Sequence, residues 1–311
     1  MTIRDCLRET EKILKESGSG RWAFEAEYIV RDLLSKDRAW IFAHAEENVD
    51  DAIAAKAFDA ASRRNAGEPL QYILKKADFM GYSLYVDNRV LIPRLDTELM
   101  AMEALKYASF YEAMGRSLFT LDLCTGSGAL ALVMASRSSS LTASDISKDA
   151  LEVAAINLKK YGVDAELVCS DLFDALGGRR FDLIVSNPPY IPAEVVDSLH
   201  PEVKDHEPRL ALDGGADGMD LIRRIIDGLE EHLAPEGLCL MEIGNGQGDS
   251  VQRMAMEKGF KTRLFKDFSG ERRFISIGRD ERSVSGVYPL DQRDVPERGF
   301  WADSPFTQNI S

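Results

Sequence analysis

Four cysteines in 311 residues, Cys6, Cys124, Cys169 and Cys239, stand far apart with no paired spacing. That scarcity argues against a disulfide framework and against a cysteine zinc site, and it fits a reducing interior. The four histidines, His44, His200, His206 and His232, show no metal-ligand spacing either, so no metal is expected. Basic residues are in deficit: 38 Lys and Arg against 52 Asp and Glu leave a net charge of −14. No run of Lys or Arg offers a local patch, so direct nucleic-acid binding is not expected. Nothing approaches the roughly 18 consecutive apolar residues of a membrane span. The opening Met1–Asp5 leads into a polar helix without the apolar core of a signal peptide. What remains is ordinary globular composition, 45% hydrophobic and 29% charged, in a length suited to two domains or one with an appendage. The expected compartment is the cytoplasm.

The first 76 residues read as helices. Ile3, Leu7, Thr10 and Leu14 recur at three- and four-residue steps before Ser17-Gly18-Ser19-Gly20 interrupts them. Ala26, Ile29, Val30 and Leu33 form a second stripe, and an Ala-rich third helix spans Asp50 to Arg64. From Phe79 the period changes. Phe79–Val86 and Val90–Ile92 read as two strands joined by a turn at Asp87-Asn88-Arg89, a hairpin over 77–95 connecting two domains. Asp96-Thr97-Glu98 then opens a helix with an acidic first turn. From Leu118 strands and helices alternate to about Gly278, which predicts βαβ units and a parallel sheet covered on both faces. The tail from 280 to 311 is polar, lacks a period and reads as extended or disordered.

In such a sheet the ligand sits at the carboxyl ends of the strands. Asp122-Leu123-Cys124-Thr125-Gly126-Ser127-Gly128 follows the first of these strands and opens a helix, so small residues let a ligand approach the backbone. It is not a dinucleotide fingerprint, because Cys124 stands for the first glycine and no third glycine follows. Asp145 ends the next strand, where a carboxylate can accept ribose hydroxyls. Asp171 follows the third strand, placed to meet an adenine amino group or simply to cap a helix.

Asn187-Pro188-Pro189-Tyr190, after the fourth strand, is the sharpest motif. Average residue frequencies give this tetrapeptide about one chance in a thousand in a chain this long. Its chemistry suits a planar nitrogen, whose delocalised lone pair makes it a poor nucleophile. The Asn187 side-chain oxygen and the Pro188 carbonyl can each accept one N–H and draw charge onto that nitrogen. Pro188 and Pro189 stiffen the loop, and Tyr190 offers a flat face. If the methyl donor is a sulfonium, its leaving group departs neutral and no strong base is required.

Asp122–Gly128, Asp145 and Asn187–Tyr190 together resemble the S-adenosylmethionine-dependent methyltransferases that act on planar nitrogen. Within these, Glu68–Ile73, Leu91–Glu98 and Glu207–Gly215 resemble the release-factor glutamine methyltransferases, and the likeness runs to about Arg279. The resemblance implies an α/β fold: a Rossmann-like class I methyltransferase domain over 96–279, with a seven-stranded mostly parallel sheet. A small all-α domain over 1–76 precedes it and would dock the substrate.

It also implies transfer of a methyl group from S-adenosylmethionine, leaving S-adenosylhomocysteine, to the glutamine of the Gly-Gly-Gln motif of class I peptide chain release factors. Cys124, Thr125, Gly126, Ser127 and Gly128 would line the methionine end of the donor. Asp145 would bind ribose, and Leu172 beside Asp171 would flank adenine. Asn187 would touch donor and glutamine, with Pro188, Pro189 and Tyr190 completing the glutamine slot; Asn187, Pro188 and Tyr190 would be the catalytic set.

Two residues depart from the family pattern within the matched region. Cys124 replaces a usual glycine and Leu95 a usual proline. Arg94, Asp96 and Glu98 are expected to brace the hairpin rather than touch substrate. Three other readings compete: methylation of a ribosomal-protein glutamine, methylation of an adenine amino group in nucleic acid, and a donor-binding scaffold without catalysis. The Leu-Asp-Thr-Glu run after Pro93-Arg94 disfavours the first, the acidic charge the second, and the intact Asn187–Tyr190 the third.

Overall fold

The switch of apolar period near residue 77 is also a structural boundary. A computed structural model describes residues 1–15 and 21–285. Its residues fall into two units, Met1–Lys76 with His200–His206, and Ala77–Leu199 with Glu207 onward. The Ser17–Gly20 interruption and the tail beyond Ser285 lie outside the described residues.

The first unit contains α1 (Ile3–Lys15), α2 (Trp22–Leu34), α3 (Arg38–Ala43), α4 (Asp51–Asn65) and α5 (Leu70–Leu74). Ile3, Cys6, Thr10 and Leu14 form the buried stripe of α1, and Ala54, Ala57, Ala60 and Ala61 that of α4. Alanine at the contact lets helices approach closely, so helices too short to persist alone hold one another. Asp37 and Asp50 cap α3 and α4 by accepting from Trp40 N and Ala52 N. Arg64 of α4 pairs at 3.0 Å with Glu25 and at 3.0 Å with Glu202, tying the 200–206 segment to this unit. The segment, expected within 96–279, groups instead with the helices.

The second unit opens with the hairpin, whose turn lies earlier than the expected Asp87–Arg89. Its strands are β1 (Ala77–Phe79) and β2 (Tyr82–Leu84), turning at Met80-Gly81 and not at Asp87–Arg89. Met80 and Gly81 both take positive φ, 47° and 78°, the requirement of a tight two-residue hairpin turn. The apolar run Phe79–Val86 therefore folds back on itself. Val90 and Ile92 are buried without being strand, and the Ile92 N–H donates to the Glu207 carboxylate at 3.3 Å.

The chain continues through α6 (Leu95–Ala113), β3 (Phe119–Leu123), α7 (Ala129–Ala135), β4 (Ser140–Asp145), α8 (Lys148–Lys160), β5 (Glu166–Cys169) and β6 (Phe181–Ser186). Two one-turn helices, α9 (Ala193–Val196) and α10 (Pro201–Lys204), precede α11 (Asp220–His232), β7 (Leu233–Glu242), α12 (Gly248–Glu257), β8 (Lys261–Lys266), β9 (Arg272–Gly278) and α13 (Glu281–Val284). The seven-stranded sheet has the order β5-β4-β3-β6-β7-β9-β8, with β9 antiparallel to both neighbours and the other pairings parallel.

Ile222, Ile225, Ile226 and Leu229 recur at helical spacing on α11 and pack with Leu121, Ile184 and Met241 of the sheet. Each such burial is worth roughly 1.5–3 kcal/mol. α7 is buried nearly all round, as expected of a helix apolar on every face. The start of the tail is more ordered than its composition suggests: α13 buries Ser283 and Val284. Among the described residues no helix is long and apolar enough to cross a membrane.

Candidate functional site

Chain order reverses in the sheet between β3 and β6, and a crevice opens there at the strands' carboxyl ends. It holds a cavity of about 450 Å³, lined by Leu123–Ser127 after β3, Ser144–Ser147 at the end of β4, Ser170–Leu172 after β5, and Asn187 and Pro189 after β6. Val90, Leu91 and Pro93 contribute from the segment leading into α6, and Thr97 from its first turn. Of the residues singled out from sequence, Cys124, Thr125, Gly126, Ser127, Asp145, Asp171, Leu172, Asn187 and Pro189 line it. Gly128, Pro188 and Tyr190 do not. Gly128 caps α7 with φ 79°, and Tyr190 lines a second cavity of about 520 Å³ with Ile191, Pro192 and the Gly244–Gln247 turn.

The wall after β3 is shaped by backbone. Asp122 is fully buried and accepts from Thr125 Oγ1 at 2.6 Å and from Ala131 N at 2.9 Å, so it holds the loop and the first turn of α7 together. Burial pushes its carboxyl up to about 7, against those two bonds. Cys124 sits in the left-handed region at φ 63° and Leu172 at φ 50°, unusual for residues with side chains. Burial keeps the Cys124 thiol protonated, with Asp145 adding to the shift. Asp145 accepts from Gly126 N and Ser147 N, both at 2.9 Å. Burial raises its carboxyl, opposed by backbone N–H groups of Ser147, Gly126 and Ile146. Its two oxygens keep lone pairs beyond those bonds. Asp171 caps no helix; its carboxylate pairs with Arg224 at 2.9 Å.

The wall after β6 is fixed by side chains. Asn187 Nδ2 donates to Thr97 Oγ1 at 3.1 Å, and Thr97 Oγ1 donates to Glu242 Oε2 at 2.6 Å. Tyr190 donates its hydroxyl to the other oxygen, Glu242 Oε1, at 2.9 Å. Glu242 ends β7 and is 1% exposed. Burial raises its carboxyl, with the bonds from Thr97 and Tyr190 opposing. The Tyr190 phenol is likewise raised by burial and by the Glu242 charge. Sequence reasoning missed Thr97 and Glu242. Thr97 lay inside a quoted block, but nothing local marks the end of β7 as its partner 145 residues away.

The two remaining blocks frame this wall. Glu207, buried, takes the Ile92 N–H and the Arg94 guanidinium. Asp96 pairs with Arg273 at 3.3 Å, and Glu98 accepts from Met80 N at 2.8 Å at the hairpin turn. Arg94, Asp96 and Glu98 thus engage the chain itself, and none of them lines the cavity. The 207–215 block closes on the loop after β6: Ile191 N donates to Leu212 O and Gly214 N to Ile191 O. A side chain at Gly214 would come within 2.8 Å of the Pro189 carbonyl, and one at Gly218 within 2.3 Å of the Tyr190 carbonyl. Only glycine admits that approach.

Two family models match the chain, the PrmC N-terminal domain over residues 5–74 and the methyltransferase small domain over 107–202. The chain is 38% identical over 261 residues to a release factor glutamine methyltransferase of Geobacter sulfurreducens, covering 83% of this chain and 90% of that protein. Over 289 residues it is 37% identical to the one of Moorella thermoacetica, covering 90% and 100%. A ribosomal protein uL3 glutamine methyltransferase of Bradyrhizobium diazoefficiens is 40% identical over 237 residues, 72% of each chain. Among solved structures, the hMettl16 catalytic domain in complex with MAT2A 3′UTR hairpin 1 matches 82% of this chain and 91% of its own, with TM-score 0.51 and 16% identity, a likeness of fold. Identity of this extent over most of each protein shows that the chain belongs to the release factor glutamine methyltransferase family.

Proposed function

We propose that the chain transfers a methyl group from S-adenosylmethionine to the side-chain amide nitrogen of the Gly-Gly-Gln glutamine in class I peptide chain release factors. The observation that carries this is Asn187, held at the cavity edge by Thr97 and Glu242 with its amide already oriented. Kinship with enzymes named for that reaction supports it.

The cavity suits a nucleoside-sized donor. Its volume lies in the range of ligand sites, and Ser144, whose buried hydroxyl has no hydrogen-bond partner among the described residues, lines it. Cys124–Ser127 would hold the methionine end, Asp145 the ribose, and Leu172 with Asp171 the adenine. The donor supplies a methyl group on a sulfonium, a leaving group that departs uncharged.

The chain's residues do the rest. Asn187 Oδ1 and the Pro188 carbonyl each accept one N–H of the glutamine amide, drawing charge onto a nitrogen otherwise delocalised into its carbonyl. Pro188 and Pro189 fix those acceptors before the substrate arrives. Tyr190, bound to Glu242 and lining the neighbouring cavity, backs the slot from behind Asn187. The spare amide proton leaves to solvent after transfer, so no base is needed. Residues 1–76 would dock the protein substrate, 77–95 join the domains, and 96–279 carry the chemistry, in the cytoplasm where translation runs.

The test is a mass measurement. The protein is incubated with S-adenosylmethionine and a purified release factor, beside the same factor with its loop glutamine changed to alanine. One added methyl group on the glutamine form alone is expected, and no gain on either form would overturn the assignment. The 40% identity to the uL3 enzyme favours ribosomal protein uL3 as the second substrate to try.

A further inference from the structure

An asparagine amide has two ends of opposite character: the oxygen only accepts and the NH2 only donates. Only the oxygen can hold an N–H of an incoming amide, so a site built on Asn187 needs that end facing the cavity. We propose that Thr97 and Glu242 are positioning residues that decide which end of the Asn187 amide faces the substrate, an inference that rests on the glutamine reading above.

The direction follows from counting protons. Each Glu242 oxygen accepts a hydrogen bond, Oε2 from Thr97 and Oε1 from Tyr190, and a carboxylate so placed has no proton to give. Thr97 has one hydroxyl proton and spends it on Glu242 Oε2 at 2.6 Å. The Thr97 oxygen is then left only to accept, and the Asn187 end facing it at 3.1 Å must be Nδ2. Oδ1 therefore points the other way. Rotating the amide by half a turn would set two acceptors against each other, a cost that disfavours the inverted form by about 10–100-fold. Tyr190 supplies the proton for Glu242 Oε1 at 2.9 Å, so both carboxylate oxygens are satisfied while charged.

The charge is part of the device. The groups facing Glu242 are Thr97 and Asp96 of α6, Tyr190 after β6, and Arg273 of β9. Asp96 works against the charge and Arg273 for it, and Arg273 is itself shared with Asp96 at 3.3 Å and Asp267 at 2.9 Å. Protonated, Glu242 would donate to Thr97, release the Thr97 proton toward Asn187 and favour the inverted amide.

The experiment uses the full chain, S-adenosylmethionine and the release factor, with Thr97→Val, Thr97→Ser, Glu242→Gln, Asn187→Ala and the Thr97→Val/Asn187→Ala pair. Thr97→Val is expected to lower kcat by about 10–100-fold with donor Kd changed less than about twofold, and Thr97→Ser to restore kcat to within about threefold. The double variant should be no slower than Asn187→Ala alone, because both act through one group. Glu242→Gln, able to donate where the carboxylate accepts, should match Thr97→Val, and the wild-type kcat should fall on acidification through a value above the ordinary 4.5 of a glutamate.

A readout free of substrate runs beside these. The side-chain NH2 signals of Asn187, identified by their loss in Asn187→Ala, should move toward the free-amide position in Thr97→Val and Glu242→Gln and stay put in Thr97→Ser. Unchanged signals in Thr97→Val, losses that multiply in the double variant, or a Thr97→Ser as slow as Thr97→Val would overturn the proposal. A wild type inactive on the release factor, with the signals moving as described, would instead overturn the substrate assignment and leave this one standing.

Discussion

Cys124 and Leu172, at φ 63° and 50°, shape their stretch of cavity wall through backbone conformation, whereas Asn187 holds its place through side-chain hydrogen bonds to Thr97 and thence to Glu242. The first wall offers loop N–H groups, small side chains and two carboxylates, Asp145 and the Arg224-paired Asp171. The second offers a single amide whose orientation depends on two residues brought from α6 and β7. A ligand on the first wall is gripped by several features at once, so single substitutions there should change affinity more than rate. A group on the second wall acts through one atom, so a single substitution should change rate steeply.

The largest effect should therefore fall on the second wall. Asn187→Ala should lower turnover by about 10²–10³ while donor binding stays within about twofold, measured by steady-state kinetics and calorimetry. A parallel loss of donor affinity would break the division between the walls. Asp145→Ala comes next: losing a charged acceptor should weaken donor binding by about 10–100-fold, with turnover at saturating donor reduced less than tenfold. Turnover falling as far as in Asn187→Ala would mean that Asp145 orients the reacting atoms too.

Cys124→Gly tests the backbone wall. Glycine tolerates φ 63° without the steric cost of a Cβ, part of which is offset by the greater freedom it gives the unfolded chain. We expect about 1 kcal/mol of added stability, seen as a Tm rise of roughly 2–4 °C, with tighter donor binding and unchanged kcat. A kcat altered tenfold with donor binding unchanged would show the thiol acting on the chemistry. The smallest effect belongs to Leu95→Pro at the first position of α6, where proline is preset for the helix and extended Arg94 (φ −105°, ψ 149°) tolerates it. About 0.4–1 kcal/mol of stability should be gained by thermal melting, with kcat unchanged; a loss would mean that the entry to α6 also tunes Thr97.

Much of this arrangement was legible in the chain because it is local. A strand followed by small residues and a helix, as at Leu118–Ser136, announces a ligand loop through hydrophobic period and glycine content. Asp145 and Asn187 announce themselves by standing at strand ends. The hairpin departs from expectation for an equally local reason: Phe79–Val86 is largely apolar, with only Ser83 polar, and the positive φ that Met80 shares with Gly81 divides it into two strands. Nothing in the pattern showed that β9 would insert antiparallel between β7 and β8.

The sequence alone determined which residues stand at the ends of β3 to β6, since period, strand length and turn chemistry are properties of neighbouring residues. Tertiary structure alone decided what they meet. Asp171 faces Arg224, 53 residues on, and stands beside no helix it could cap. Glu207 reaches back 115 residues to the Ile92 N–H. Thr97 finds Glu242 because the first turn of α6 and the end of β7 are brought to one buried spot. Such contacts depend on how helices pack on a twisted sheet, a relation between distant segments that no local pattern encodes, and the orientation of Asn187 is set there.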